Sequence, residues 1–281
     1  MRYGVTMFTT DQTMTATALA LEVETRSLDS LYLPEHTHIP VSRLTPPPTG
    51  DSELAEEYRR TVDPLIALAG AAAVTTHITI GTGILLPAQR EPIVTAKAIA
   101  TLDVESGGRF SLGIGFVWNR DEIEQHGVDF ARRRDVCREH VLAMRSLWTL
   151  DEAEFHGEFV DFSRSWSWPK PMRVGGPPVL IGGSPGPKMF AHIAEYGDGW
   201  IPIGGAGVRA ALDDLRRACD ARGRDFDAMQ IVPFGTLPDR SKLDYYEHIG
   251  VTEVVLRVPG GGRDEVLPVL DQLAALRERA L

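Results

Sequence analysis

Short apolar runs alternate along the chain with longer stretches whose apolar positions recur every three to four residues. Tyr3 to Phe8 is the first such run. Thr15 to Arg26 carries Leu19, Leu21, Val23 and several alanines at helical spacing, with Thr13 or Thr15 placed to cap it. Ser30 to Leu33 predicts a second strand. Pro64 to Thr75 predicts an alanine-rich helix whose proline sits in the first turn, where a missing N–H is harmless. Ile78 to Leu86 predicts a third strand, Pro92 to Glu105 a helix, and Arg109 to Ile114 a fourth strand. Arg132 to Thr149 predicts a long helix with Val136, Val141, Met144, Leu147 and Trp148 on its apolar side.

Asp151 to Pro178 breaks the pattern. It is rich in Trp, Phe, Pro and Gly, has no clear period, and predicts an extended loop or insertion. The alternation then resumes. Strands are predicted at Pro178 to Ile181, Gly199 to Ile203, Met229 to Phe234 and Glu253 to Val258. Helices are predicted at Pro187 to Tyr196, Val208 to Arg222, Leu243 to Ile249 and Asp264 to Arg279. Strands separated by helix-length segments need crossover connections, which build parallel sheets. Eight strand–helix pairs in a chain of 281 residues predict a (β/α)8 TIM barrel forming one domain over residues 1–281, with a short insertion at 151–178. An open doubly wound sheet is the alternative with the same alternation.

Composition changes this picture little. Hydrophobic residues make up 43% and charged residues 24%, as expected of a folded soluble chain. Lys and Arg number 29 against 39 Asp and Glu, a formal charge of −10, which argues against nucleic-acid or anionic-membrane partners. Cys137 and Cys219 have no short spacing, so neither a disulfide framework nor a metal knuckle is expected. A reduced cytoplasm is the simple reading. Met1 to Val5 shows no basic region leading into an apolar core, so no signal peptide is expected, and no apolar run reaches the ~18 residues of a membrane span.

In a barrel of this kind, chemistry gathers at the carboxyl ends of the strands. Gly182-Gly183-Ser184-Pro185-Gly186-Pro187-Lys188 follows a predicted strand and opens a helix. Glycines let the backbone approach a ligand, and the helix start presents free N–H groups. That combination predicts a phosphate site, with a plain tight turn as the ordinary alternative. The spacing is neither a Walker loop nor a dinucleotide fingerprint. Pro34-Glu35-His36-Thr37-His38 follows the second strand. His36 is placed to exchange protons or to orient a ligand. No other cluster completes a metal site around His36 and His38, so no metal is expected. Gly113-Ile114-Gly115-Phe116-Val117-Trp118-Asn119 leaves the fourth strand. Its small residues predict room for a flat ligand, Trp118 either a pocket wall or core packing, and Asn119 with Glu122 polarity beside it. Pro202 to Gly205 ends the sixth strand. No nucleophile elbow is present. A glycine-lined mouth with aromatics, a histidine and an anion site suits a large planar phosphorylated cofactor.

These pieces, in this order, resemble the bacterial luciferase-like monooxygenase superfamily. The resemblance rests on Ile80 to Pro87, Arg90-Glu91-Pro92, Ala96, Ala100 to Asp103, Ser106 to Phe110, and Leu112 to Gly115 with Trp118, Asn119 and Glu122. Pro34-Glu35-His36, Gly182 to Ser184, and Ala194 to Trp200 extend it over nearly the whole chain. The stretch Pro34 to Pro40 looks most like the branch that uses the deazaflavin coenzyme F420. The resemblance implies a (β/α)8 barrel and a non-prolyl cis peptide at Gly83–Ile84 behind the coenzyme's central ring. It also implies cofactor contacts from Gly83, Ile84, Arg90, Gly115, Asn119, Gly182, Gly183, Ser184 and Gly186. His36 and Glu35 would be the catalytic pair. Phe116 and Val117 depart from the family pattern, in which a Gly-Trp pair often follows the fourth strand.

The implied activity is hydride transfer between F420 and a small organic substrate. An FMN-dependent monooxygenase served by a separate reductase is the alternative, and a non-catalytic flavin-binding protein a further one. The family often dimerises through the helices after strands two and three, so a homodimer is expected, with Ala67 to Ala73 allowing close helix approach.

Overall fold

The computed structural model describes residues 1–46, 53–203 and 207–278. The first half of the chain runs β1 (Arg2–Thr6), α1 (Ala16–Thr25), β2 (Ser30–Leu33), α2 (Pro64–Val74), β3 (Thr79–Leu85), α3 (Pro92–Glu105), β4 (Phe110–Ile114), α4 (Arg120–Gln125) and α5 (Arg133–Thr149). A hairpin of β5 (Ala153–His156) and β6 (Asp161–Ser165) follows. The second half runs β7 (Val179–Gly182), α6 (Pro187–Tyr196), β8 (Gly199–Ile201), α7 (Val208–Asp220), β9 (Gln230–Ile231), β10 (Phe234–Thr236), α8 (Arg240–His248), β11 (Glu253–Arg257) and α9 (Arg263–Glu278).

The helix starts follow local chemistry. Thr15 accepts from the Ala18 amide at 3.2 Å, capping α1. Asp63 accepts from Leu65 and Ile66 at 2.9 and 3.1 Å ahead of Pro64. Glu91 accepts from Ile93 and Val94 ahead of Pro92. Each bond satisfies an amide that the first helical turn leaves orphaned.

The strands form one curled parallel sheet in the order β10-β11-β1-β2-β3-β4-β7-β8-β9, with the helices outside it. The two outermost segments are consecutive in sequence. Pro233 interrupts the run because it has no N–H for the ladder. On one side of that run, Val232 donates to the Trp200 carbonyl and Phe234 to that of Pro202, both at 2.9 Å. On the other side, Val255 donates to the Pro233 carbonyl at 2.9 Å. Inside the curl, Tyr32, Leu180, Ile201, Val232, Phe234 and Val255 form a buried cluster with Ile84 packed against it. A larger core lies between sheet and helices; Trp148 of α5 buries its ring there and donates Nε1 to the Ala96 carbonyl of α3 at 3.0 Å. Burying side chains of this size contributes roughly 1.5–3 kcal/mol each.

Three features differ from the sequence-based expectation. The aperiodic 151–178 segment contains the antiparallel pair β5–β6, whose positions are mostly exposed and so carry little hydrophobic alternation. A six-residue helix, α4, fills the stretch after Asn119. The seventh strand is split at Pro233. The Ser106–Arg109 block also has a structural explanation. Gly107 and Gly108 take φ of 66° and 78°, which turns the chain back. The Arg109 guanidinium then bonds the Ala72, Thr75 and Ile78 carbonyls at 3.1, 2.9 and 2.8 Å, closing the end of α2 onto β3. Among the described residues, no helix is long and apolar enough to cross a membrane.

Candidate active site

The predicted residues follow the carboxyl ends of the parallel strands β2, β3, β4 and β7. His36 follows β2, and its Nδ1 donates to Glu122 at 2.9 Å to one carboxylate oxygen and 3.1 Å to the other. Glu122 stands in the first turn of α4 and is fully buried; the His36 side chain is 7% exposed. With Nδ1 engaged, Nε2 is the free ring nitrogen among the described residues. Thr61 donates to the His36 carbonyl at 3.0 Å and fixes the backbone. The His36 ring lies 5.2 Å from Tyr58 and 6.0 Å from Trp118.

Glu35, one residue earlier, is buried and has different partners. One carboxylate oxygen accepts from the Leu86 amide at 2.6 Å, the other from Nε of Arg90 at 2.6 Å. Arg90 also reaches Asp63 at 2.6 Å, the residue that caps α2. Burial pushes the Glu35 carboxyl up from its usual range, and the charge of Arg90 opposes that push. Asp63 is held below its usual range: its burial is outweighed by the Arg90 bond and the Ile66 and Leu65 amides. Glu35 and Arg90 therefore tie the end of β2 to the turn after β3 and to the start of α2.

The Gly83–Ile84 peptide is cis, as the family resemblance implied. The Ile84 side chain lies beside Gly115 and Gly182. A Cβ at Gly115 would overlap the Ile84 side chain, and one at Gly182 would come within 3.1 Å of it. A Cβ at Gly113 would meet the Thr82 carbonyl and, at 2.9 Å, Ile201. The expectation that these small residues leave open room is therefore corrected. Gly115 and Gly182 are glycine because Ile84 occupies the space a side chain would need, while Gly113 sits against its neighbouring strand. Ile84 itself remains partly exposed.

Asn119 stands at the N-cap of α4 but makes no capping bond. It is completely buried, and both polar atoms of its amide lack a partner among the described residues. A buried amide left unpaired costs about 1–3 kcal/mol, so such a group has a use or a missing partner.

The Gly182–Lys188 loop is exposed at Ser184 and Lys188. Gly183 and Gly186 take φ of 145° and 156°, a region that favours glycine. No side chain caps α6, so its first amides are free among the described residues. Trp200 donates Nε1 to the Gly183 carbonyl at 2.9 Å and anchors the turn. Gly204 and Gly205, the predicted end of the sixth strand, lie outside the described residues.

Two participants escape sequence reasoning. Tyr58 sits in a charge-rich stretch, Glu56-Glu57-Tyr58-Arg59-Arg60, where a lone aromatic gives no signal. The Glu122–His36 bond joins residues 86 positions apart and rests on a helix too short to show a period. His38 bonds Gln125 at 2.7 Å and stays on the outer rim. Among the described residues, no group of three or more His, Cys, Asp or Glu is arranged to hold a metal ion.

The chain and its fold are similar to several known proteins. The chain is 43% identical over 278 residues to an uncharacterized Mycobacterium tuberculosis protein, Rv0953c, covering 98% of each. Its fold is similar to monooxygenase RslO1 from Streptomyces bottropensis, with a TM-score of 0.79, 19% identity, and 100% and 99% of the two chains covered. It is also similar to an F420-dependent secondary alcohol dehydrogenase bound to an F420–acetone adduct, with a TM-score of 0.78, 17% identity and coverages of 98% and 97%. The FMN complex of a type II Baeyer–Villiger monooxygenase from Pseudomonas putida superposes with a TM-score of 0.62, 17% identity and coverages of 86% and 69%. Oxidoreductases that use F420 and oxidoreductases that bind FMN therefore share this fold. Residues 3–238 match the luciferase-like monooxygenase family, and the chain belongs to it.

Proposed function

We propose that this protein is an F420-dependent oxidoreductase built on a closed (β/α)8 barrel, passing a hydride between the deazaflavin and a small organic substrate. The His36–Glu122 pair carries the reading: an imidazole at a strand end, oriented by a buried carboxylate, with its other nitrogen free. Counting Gln230 to Thr236 as one strand gives eight parallel strands. The bonds of that run to both β8 and β11 support closure.

The residues present fit such a coenzyme. The uncapped start of α6, with Ser184 beside it, suits its phosphate. Ile84 offers an apolar support for a flat ring, and the unpaired amide of Asn119 offers a donor and an acceptor to a polar ring edge. When bound, F420 supplies a ring carbon that takes or gives a hydride, without the ring nitrogen that favours oxygen chemistry.

His36 holds or releases the accompanying proton at Nε2. Glu122 fixes the tautomer by accepting from Nδ1, so that Nε2 is the nitrogen that changes protonation. Glu35 and Arg90 keep the β3 turn, and with it Ile84, in place.

F420 is preferred over FMN because the Pro34–Pro40 stretch resembles the F420 branch. An FMN-dependent monooxygenase is the second reading, supported by the FMN-bound neighbour. Exposed Ile66 on α2 and Ile93 and Val94 on α3 support a homodimer through the helices after β2 and β3. A cytoplasmic setting fits the two buried free thiols, and the acidic balance fits a small-molecule rather than a nucleic-acid or membrane partner. Titration of the purified protein with F420 and with FMN, followed by fluorescence quenching, tests the reading. Saturable binding of F420 with at least about tenfold preference over FMN is expected, a gap of ~1.4 kcal/mol. Preference for FMN overturns it.

A further inference from the structure

We infer that this site takes a neutral, apolar, ring-bearing substrate held against Phe8, Tyr58 and Trp118; the inference rests on the functional reading above and names its substrate class.

Four rings form a connected wall around the proton-exchanging nitrogen. Phe8 and Tyr58 lie 4.8 Å apart, Tyr58 and His36 5.2 Å, His36 and Trp118 6.0 Å, and Tyr58 and Trp118 6.2 Å between centroids. The Tyr58–Trp118 and His36–Trp118 pairs meet edge to face, at 89° and 74°. Phe8, His36 and Trp118 follow β1, β2 and β4, and Tyr58 belongs to the single turn Glu56–Arg59 between β2 and α2. Phe8, Tyr58 and Trp118 are partly exposed rather than sealed in the core, while the His36 side chain is largely covered. The packing of the protein itself leaves part of the Phe8, Tyr58 and Trp118 rings uncovered. A ligand ring that covered them would bury apolar area and add edge-to-face contacts.

Charge argues the same way. The cation touching these rings is already matched. Glu122 accepts from His36, and Arg257, which lies over Phe8, is paired with Glu57. The turn carrying Tyr58 is held by Arg60, which reaches Asp11 and Glu56 at 2.8 Å each. A carboxylate entering here would lose its hydration beside an arginine already paired and the like charge of the Glu122 carboxylate. Two further apolar side chains, Ile203 and Leu237, stand exposed just past β8 and β10.

Equilibrium dialysis of the full chain at pH 7 with 2-naphthol and 2-naphthoate tests the inference, because the two probes share a ring system and differ in charge. The neutral probe is expected to bind at least about tenfold more tightly than the anion. Tyr58→Ala is expected to weaken 2-naphthol binding about fivefold or more, and Tyr58→Phe to restore most of it, since the ring and not the hydroxyl makes the contact. Circular dichroism of both variants should match the parent, because Tyr58 lies on a surface turn. Equal or tighter binding of 2-naphthoate overturns the inference, as does undiminished 2-naphthol binding by Tyr58→Ala. A parallel F420 titration separates the two readings. Coenzyme binding with failed naphthol binding sinks only this inference. Tyr58-dependent naphthol binding without coenzyme binding sinks only the coenzyme assignment.

Discussion

Nδ1 of His36 donates to the fully buried carboxylate of Glu122 at 2.9 Å, which leaves Nε2 as the nitrogen available to a substrate. If that nitrogen moves the proton, His36→Ala should lower kcat about 100-fold or more, the range of general acid–base catalysis. Coenzyme affinity, set by other residues, should change less than about twofold. Glu122→Gln keeps the shape of the site but lets the imidazole choose either tautomer. It should lower kcat less than His36→Ala does and alter the pH–rate profile. Steady-state kinetics with a substrate of the site and a coenzyme titration on each variant check both statements.

Gly115 and Ile84 share one space. Gly115→Ala places a methyl where the Ile84 side chain lies. Overpacking of this kind costs about 1–3 kcal/mol. The melting temperature should fall by about 2–4 °C for each kcal/mol lost. Adding Ile84→Ala should recover part of the loss, giving a non-additive pair. Thermal melts of the two single variants and the double variant decide it; strict additivity would show that the two residues do not compete.

Ser184 is exposed beside the uncapped start of α6. Ser184→Ala should weaken F420 binding by about threefold to tenfold, the worth of one hydrogen bond, without moving the melting temperature. Equilibrium titration and a melt on the same sample test this. An unchanged affinity would place the phosphate elsewhere.

At the opposite end of the sheet, Glu253 is buried with Ser30 donating to it and Arg2 at 3.6 Å. Burial pushes its carboxyl above the usual range despite the pull of Arg2. In the unfolded chain that carboxyl ionises near pH ~4.3. As pH rises above that value, the unfolded chain releases the proton first, so stability falls until the folded-state pKa is passed. Glu253→Gln removes this dependence. Denaturant titrations should show the variant gaining stability relative to the parent as pH rises from 5 to 8. A gap independent of pH would contradict the assignment.

Much of the architecture is legible from residue patterning because each parallel strand is buried on both faces and each helix exposes a regular stripe. Thr15 and Pro64 mark helix starts by local chemistry that needs no tertiary context. The β5–β6 hairpin is invisible because residues such as Glu154 and Arg164 keep it in water and leave no alternation to read. The split at Pro233 follows from a missing N–H, yet only the neighbouring strands show that both halves belong to one run. At the site, His36 and the Gly182–Gly186 loop stand out by residue type and position. The bond between Glu122 and His36, the place of Tyr58 and the filling of the glycine notch by Ile84 depend on contacts between segments far apart in sequence, which no local pattern encodes.

A crystal structure of the protein with F420 tests the central claim most directly. The claim predicts the central ring resting on Ile84 beside Nε2 of His36, with the phosphate on Ser184 and the first amides of α6. A ring bound away from Ile84 and His36, or a protein that takes FMN and leaves F420 in solution, would contradict it.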